Sequence, residues 1–133
     1  MHSARISTVF IVDDSAPIRA RLVEMLSTID GVRLVGEAAN TPDAIAGILS
    51  THPDSVLLDL NLGGDQGLDV LRAVLPEAPE IEFVVLSNHS EKQYRKACIE
   101  AGAKHFLDKS TEFESVRTII AGLAPSAALD CID

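Results

Sequence analysis

The chain has 133 residues, and its composition already excludes several classes of protein. This length favours one domain, with enough residues to bury a core without disulfides. The 20 acidic and 11 basic residues give a formal charge of −9, which disfavours nucleic acid as a partner of this domain. No apolar run approaches the ~20 residues of a membrane span, and no apolar signal segment opens the chain. We therefore expect a cytoplasmic protein without a membrane partner, in which Cys98 and Cys131 are reduced.

Five short apolar segments predict the strands of a sheet. The first, Thr8 to Val12, is continuously apolar rather than alternating, as expected for a strand that is covered on both faces. The other four segments follow in chain order: Val32 to Ala38, Ser55 to Asp59, Ile81 to Leu86 and Lys104 to Asp108. The second segment is the most polar, which suits an edge of the sheet.

Helical spacing of apolar residues follows each of the first three strands. The first helix begins near Pro17, because a missing N–H costs nothing in a first turn, and Asp30-Gly31 ends it. Thr41 and Pro42 cap and start the second helix. A glycine-rich loop from Asn61 to Gly67 leads into the third helix.

Two further helical patterns complete the chain. A helix from about Glu91 to Ala101 should place Tyr94 and Cys98 in the core. The fifth helix carries an apolar stripe between Phe113 and Leu123. Five helices therefore accompany five strands.

This alternation of strands and helices indicates an α/β fold. It implies a parallel sheet with right-handed crossovers and helices on both faces. For five strands we predict a flavodoxin-like, doubly wound sheet in the order 2-1-3-4-5, with a crevice where strands 1 and 3 diverge. Residues 6–124 would form this domain, and residues 125–133 a short C-terminal tail.

The residues with chemical function follow the predicted strands directly. Asp13 and Asp14 follow strand 1, Asp59 ends strand 3, Ser87 follows strand 4 and Lys109 follows strand 5. Because parallel strands end at one edge of the sheet, these side chains should gather there. Three close carboxylates favour a bound cation or a raised pKa, and hard oxygen ligands favour Mg²⁺. With a lysine and a hydroxyl, this set can move a phosphoryl group onto a carboxylate.

These residues resemble the receiver domain of two-component response regulators, in the single-domain form typical of chemotaxis regulators. The resemblance covers about residues 6–124, and its matching positions follow the strand ends in order: Asp13, Asp14, Asp59, Gly67, Ser87 and the segment Phe106-Leu107-Asp108-Lys109. It implies that Asp59 accepts a phosphoryl group from a histidine kinase or phosphotransfer protein, or slowly from small phosphodonors. Such a domain loses the group slowly and is not a turnover enzyme.

The resemblance also implies a magnesium site. Asp14 would bind Mg²⁺ directly, and Asp13 would contribute mostly through water. An oxygen of Asp59 and the main-chain carbonyl of Asn61 would complete the protein ligands.

A conformational switch is the third implication of the resemblance. Ser87 would hydrogen-bond the new phosphoryl group and draw its loop inward, and Phe106 would rotate from an exposed to a buried position. The face formed by the fourth helix, the fifth strand and the fifth helix would then bind a different protein effector, or a second copy of the chain in a phosphorylation-dependent homodimer.

Several residues near the site depart from the family pattern. Proline often stands four residues after the acceptor, where this chain has Gly63, followed by Gly64, and the glycines should loosen the loop. Asn88 and His89 follow Ser87 and could alter the access of donors or water.

Other functions remain open from the sequence. Lys109 is followed by a serine instead of the usual proline, as in receivers attached to helix-turn-helix transcription factors, so the chain could be the receiver half of such a regulator. The loop departures also allow a degenerate receiver that binds partners without phosphorylation. A haloacid-dehalogenase-type phosphatase would need a second acid two residues after its nucleophile on strand 1. The segment Asp13-Asp14-Ser15-Ala16 does not have that spacing. A flavin binder would need a phosphate-binding loop after strand 1, where the two acids of this chain would repel phosphate.

Overall fold

A computed structural model describes residues 6–63, 65–88 and 93–123 of the chain. The strands are β1 (Ser7–Val12), β2 (Val32–Ala38), β3 (Ser55–Asp59), β4 (Asn61–Leu62), β5 (Asp65–Gln66), β6 (Glu82–Ser87) and β7 (His105–Asp108). The helices are α1 (Ala16–Ser27), α2 (Thr41–Thr51), α3 (Gly67–Val74), α4 (Arg95–Glu100) and α5 (Phe113–Leu123). None of the helices among the described residues is both long and apolar enough to cross a membrane.

Five of the strands form one parallel sheet in the order β2-β1-β3-β6-β7. This order confirms the predicted flavodoxin-like arrangement, because these are the five predicted strands in the order 2-1-3-4-5. Strands β1 and β3 are neighbours at the centre of the sheet, so the residues that follow them meet at its carboxyl edge.

The two faces of the sheet bury separate apolar cores. Along β1, Val9 and Ile11 point into a core with α1 and α5, whereas Phe10 and Val12 point into a core with α2, α3 and α4. Since successive side chains of a strand point to opposite faces, a strand that is covered on both sides must be apolar throughout. The continuous apolar runs of the central strands therefore have a direct physical cause.

Two local features differ from the sequence predictions. The predicted loop from Asn61 to Gly67 contains a short antiparallel hairpin, in which Asn61 pairs with Gln66 and Leu62 with Asp65. The cap of α2 is Asn40 rather than Thr41, since its side-chain oxygen accepts a hydrogen bond from the N–H of Asp43 at 2.9 Å.

The start of the fourth helix is also later than predicted. Regular α4 begins at Arg95, and residues 89–92 lie outside the described part of the chain. Cys98 is buried as predicted, but the prediction for Tyr94 is wrong, because 40% of this residue is exposed. Tyr94 precedes the helix, so the helical periodicity that places Cys98 inside does not extend back to it.

Some predictions concern residues outside the described ranges. They are those for Gly64, His89, Cys131 and the tail at 125–133.

Candidate acidic site at the carboxyl edge of the sheet

The three aspartates predicted to gather at the sheet edge lie close together. Asp13 continues β1, because its N–H donates to the carbonyl of Ala38 at 3.0 Å, and Asp59 is the last residue of β3. One carboxylate oxygen from each of Asp13, Asp14 and Asp59 lies within 4.8 Å of the others. Asp13 and Asp59 are buried, whereas Asp14 is exposed. The group therefore opens to solvent on the side of Asp14.

The two carboxylate oxygens of Asp13 have different contacts. Its Oδ1 accepts a hydrogen bond from the N–H of Ser15 at 2.8 Å, in the turn before α1. Its buried Oδ2 accepts no hydrogen bond of good geometry from the described residues, although the ammonium of Lys109 lies 3.1 Å away. A buried oxygen without a full set of donors is costly unless a ligand satisfies it, which fits a site for a cation with oxygen ligands.

Lys109 lies between the two buried carboxylates. Its Nζ is 3.1 Å from Oδ2 of Asp13 and 3.0 Å from Oδ2 of Asp59. Its main-chain N–H donates to the carbonyl of Ser87 at 2.8 Å, which fixes the end of β7 against the end of β6. Burial alone would lower the pKa of Lys109, but the hydrogen bond and charge of Asp59, and then the charge of Asp13, outweigh it and raise the pKa. Lys109 therefore stays charged.

The pKa of Asp59 is raised from 3.8 to about 6. Burial is the largest cause, and the charge of Asp13 acts in the same direction. The hydrogen bond and charge of Lys109, and a hydrogen bond of 3.1 Å from the N–H of Asn61 to Oδ1, oppose the rise without cancelling it. A further cation at the site would favour the carboxylate form.

Gly67 allows α3 to begin directly against the end of β3. A Cβ atom at this position would lie 2.4 Å from the carbonyl oxygen of Asp59 and 2.9 Å from the Cα of Leu60. The N–H of Gly67 donates to the carbonyl of Leu60 at 2.7 Å. Only glycine fits this contact, since both obstructing atoms belong to the backbone. This gives a physical reason for one of the residues on which the family resemblance rests.

Gly63 has a backbone conformation that explains the departure from proline. Its φ is +70°, whereas the proline ring fixes φ near −65°. A Cβ atom here would lie 3.4 Å from Oδ2 of Asp14, so the hairpin passes close to the exposed acid. The N–H of Gly63 donates to the side-chain oxygen of Asn61 at 3.2 Å.

Ser87 and Phe106 lie on the β6–β7 side of the edge. The hydroxyl of Ser87 is buried and donates to the carbonyl of Leu107 at 3.4 Å, rather than to one of the aspartates. Phe106 is half-buried and packs against the core on the α2, α3 and α4 face. In the pairing of β6 with β7, Ser87 lies opposite Asp108 and Phe106 opposite Val85.

Sequence reasoning missed the contact of Arg19 and the part that Asp108 plays in the turn after Lys109. The guanidinium of Arg19 donates to the main-chain carbonyl of Asp13 at 2.6 Å. A carboxylate oxygen of Asp108 accepts from the N–H of Ser110 at 2.8 Å and from its hydroxyl at 2.7 Å, which shapes the turn after Lys109. The sequence carries no specific signal for the contact of Arg19, because its acceptor is a main-chain carbonyl. Asp108 was predicted only as part of the resemblance.

Comparison with known proteins identifies the family. A family model described as the response regulator receiver domain matches residues 9–121. The chain belongs to this family. Receiver domains are phosphoacceptors in two-component signalling and are generally not enzymes, and this membership confirms the family and signalling class predicted from the sequence.

Individual relatives of this receiver domain support the same conclusion. It is 32% identical over 108 residues to the transcriptional regulatory protein YhcZ of Bacillus subtilis, covering 81% of this chain and 50% of YhcZ. It is 36% identical over 110 residues to protein-glutamate methylesterase/protein-glutamine glutaminase 5 of Myxococcus xanthus, covering 82% of this chain and 32% of that protein. The chain thus spans half or less of the length of these relatives.

The solved structures include a receiver domain of the same extent. The signal receiver domain of NarL from Mycobacterium tuberculosis is 32% identical, with a TM-score of 0.76 and 96% of each chain covered. A CheY-like receiver domain from Methanospirillum hungatei has a TM-score of 0.80 at 19% identity, which supports the fold.

Proposed function

We propose that Asp59 is the phosphoacceptor of this receiver domain and that Asp13, Asp14, Asp59 and the main-chain carbonyl of Asn61 hold Mg²⁺. The observation that carries the proposal is the environment of the Asp59 carboxyl group. It is a buried carboxyl group at the end of β3 with a pKa raised to about 6, and its Oδ2 is 3.0 Å from Lys109. A merely structural acid would not need two other acids within 4.8 Å.

In the proposed reaction an oxygen of Asp59 attacks the phosphorus of a donor. A bond forms between this oxygen and phosphorus while the bond from phosphorus to the donor breaks. When the donor is a phosphohistidine of a kinase or phosphotransfer protein, its P–N bond breaks, and the histidine leaves as neutral imidazole after its ring nitrogen takes up a proton from water. Lys109 is placed to donate hydrogen bonds to the oxygens of the transferred group, because its ammonium already lies between Asp13 and Asp59.

The residues around the acids fit Mg²⁺. The ion would neutralise charge on the carboxylates and on the transferred phosphoryl group. Asp14 is the exposed member of the group and offers its carboxylate to an entering ion. Asp13 presents the buried Oδ2 that lacks a well-aligned donor. Asn61 follows Asp59 by two residues, and its N–H bonds the Asp59 carboxylate, which keeps this part of the chain beside the site.

We propose that phosphorylation is read out by Ser87 and Phe106. The hydrogen bond from Ser87 to Leu107 is long, at 3.4 Å, so the hydroxyl loses little when it turns to a phosphoryl oxygen. Phe106 precedes Leu107 in β7 and would change its packing with that movement. The face formed by α4, β7 and α5 then meets a downstream protein effector or a second copy of this chain.

The partners follow from this scheme. A histidine kinase or a phosphotransfer protein supplies the phosphoryl group, and a protein effector receives the signal. YhcZ is a transcriptional regulatory protein twice the length of the matched region. In a protein of that kind, binding to DNA would belong to the other half, because this domain has a net charge of −9.

The test is the mass of the intact protein after incubation with Mg²⁺ and acetyl phosphate or phosphoramidate. We expect a gain of one phosphoryl group, lost with Asp59→Asn and with removal of Mg²⁺ by a chelator. Asp54→Asn is the matched control, since Asp54 lies at the other end of β3 and should leave the adduct unchanged. Absence of an adduct in the wild-type chain, together with failure to bind beryllofluoride, would make the domain a degenerate receiver.

A further inference from the structure

Arg19 joins the acidic site to the neighbouring strand β2, and the proposed reaction gives it no role. Its Nη1 donates to the main-chain carbonyl of Asp13 at 2.6 Å, and its Nε lies 3.3 Å from Oε1 of Glu37. The side chain of Arg19 is 22% exposed and that of Glu37 40% exposed, so the contact is partly screened from water. One guanidinium thus links the turn between β1 and α1 to the end of β2.

The main chain of Asp13, whose carbonyl accepts from Arg19, is also hydrogen-bonded through its N–H. The N–H of Asp13 donates to the carbonyl of Ala38, and its carbonyl accepts from Arg19. The carboxylate of Asp13 is oriented by the N–H of Ser15. The planar guanidinium has donors in a rigid fork, so bonds to Asp13 and Glu37 together fix its direction. A lysine has the same charge but cannot make both contacts in this geometry.

We propose that Arg19 is a positioning residue for the binding of Mg²⁺. Through the carbonyl of Asp13 it fixes where Asp13 and Asp14 present their carboxylates, and Glu37 holds Arg19 in turn. The inference rests on the proposed function, because these aspartates are the proposed ligands. Mg²⁺ demands near-ideal octahedral geometry, so a looser Asp13–Asp14 backbone should cost affinity.

A positioning role and a purely electrostatic role of Arg19 predict different Mg²⁺ affinities for its variants. Arg19→Gln removes a positive charge near a cation site, which by itself would tighten the binding of Mg²⁺. Arg19→Lys keeps the charge and removes the fork. If Arg19 acted only through its charge, the lysine variant would bind as the wild type does and the glutamine variant would bind more tightly. Positioning predicts that both variants bind more weakly.

The experiment is a calorimetric titration of the unphosphorylated protein with Mg²⁺ alone, checked by the rise in Tm that the ion produces. We expect Arg19→Lys and Arg19→Gln to bind Mg²⁺ roughly tenfold more weakly, at the lower end of the effects seen for residues that orient metal ligands. The matched control is Arg21→Lys, the same substitution in the same helix, where the guanidinium lies 4.2 Å from the ring centre of Phe113. Its affinity should equal that of the wild type.

A variant of Glu37 tests the contact between Arg19 and Glu37 without changing Arg19. Glu37→Asp keeps the charge but shortens the side chain by one methylene, so it draws the carboxylate away from Nε. We expect weaker binding than in the wild type, by less than in Arg19→Lys. This variant also decides the question if Arg19→Lys does not fold, because Glu37 is half exposed on an edge strand.

Two results would overturn the role of Arg19. One is wild-type affinity in Arg19→Lys or, where that variant does not fold, in Glu37→Asp. The other is an equal loss in Arg21→Lys, which would indicate general damage to α1. A wild-type chain that fails to bind Mg²⁺ gives a different outcome, since it refutes the proposed metal site and the role of Arg19 with it.

Discussion

Strand β3 has an aspartate at each end, and the two are held in different ways. Asp54, before the strand, is exposed, and its Oδ2 accepts hydrogen bonds from the N–H of Thr8 at 2.8 Å and from its hydroxyl at 3.2 Å. Asp59, at the other end, is buried and faces the ammonium of Lys109 at 3.0 Å. Both acids join β1 to β3, Asp54 through its contacts with Thr8 and Asp59 through the ammonium that it shares with Asp13.

The difference indicates that Asp54 has a structural role in the sheet, whereas Asp59 is placed to react. The N–H and hydroxyl of Thr8 help to hold Asp54 in place while water still solvates it, so these two hydrogen bonds add directly to stability. Asp59 has lost its water and shares Lys109 with Asp13, which leaves its pKa raised to about 6. Burying Asp59 therefore lowers the free energy of unfolding, and other parts of the fold must compensate. This is expected where function determines the choice of residue.

The largest effect should come from removing the shared cation. Lys109→Met leaves Asp13 and Asp59 close together without a counter-charge. We expect a loss of about 2 kcal/mol in Mg²⁺-free buffer at pH 7.5, below the roughly 3–5 kcal/mol of a fully buried pair because Lys109 is partly exposed. Urea denaturation measures it. The loss should become smaller toward pH 4, where Asp59 takes up a proton. An equal loss at both pH values would mean that Lys109 does not stabilise the protein by its charge next to Asp13 and Asp59.

The next effect concerns the structural acid. Asp54→Ala removes two accepted hydrogen bonds and should destabilise the protein by about 1.5 kcal/mol, measured by urea denaturation. Asp54→Asn keeps an oxygen that can accept from the N–H of Thr8, and it should lose only about 0.5 kcal/mol. Neither change should alter phosphorylation. A loss of the phosphoryl adduct in either variant would mean that the two ends of β3 are not independent.

Asp59→Asn should change stability in the opposite direction. The folded pKa of Asp59, about 6, lies above its unfolded value of 3.8, so its favourable contribution is complete below the unfolded value and is lost as pH rises through the folded one. We therefore expect the asparagine variant to be more stable than the wild type by about 1 kcal/mol at pH 7.5 without Mg²⁺, with solvent screening and the contact to Lys109 limiting the gain.

This advantage should disappear near pH 4 and should reverse when Mg²⁺ is added, since the ion stabilises mainly the wild type. Thermal denaturation across pH, with and without Mg²⁺, measures both changes. A destabilised Asp59→Asn at pH 7.5 without the ion would show that burial does not dominate at this acid.

The smallest effect is expected at the start of the same strand. Ser55 is fully buried, and its hydroxyl has no hydrogen-bond partner among the described residues. Ser55→Ala should therefore stabilise the protein by about 0.5 kcal/mol, because an alanine has no unsatisfied group to bury. Denaturation in urea with an unchanged m-value would measure it, and a loss of stability would indicate a partner for the hydroxyl.

The sequence was most informative where one physical constraint dominates. Burial on both faces demands continuous apolar strands, so Thr8 to Val12 and Ser55 to Asp59 could be recognised without a structure. Parallel pairing then brings the strand ends together, which made the proximity of Asp13, Asp59 and Lys109 predictable.

What could not be predicted depends on contacts that leave no pattern. The hydrogen bond from Arg19 ends on a main-chain carbonyl, which every residue carries. The hairpin from Asn61 to Gln66 has too few residues for strand periodicity, and the late start of α4 at Arg95 moved Tyr94 outside the helical pattern. The sequence predicted a bound cation or a raised pKa among the three acids, but not that Asp59 has the raised pKa, which depends on its burial and its distance from Lys109.

The conformation of Gly63 sets a condition for chimeric receivers. Loops between the acceptor and the third helix are natural pieces to exchange when a signalling circuit is to be retuned. A loop from a relative with proline four residues after the acceptor would bring a residue that cannot adopt φ of +70°. Such a graft must therefore replace the whole segment from Asn61 to Gln66, so that the transplanted backbone keeps its own path past Asp14.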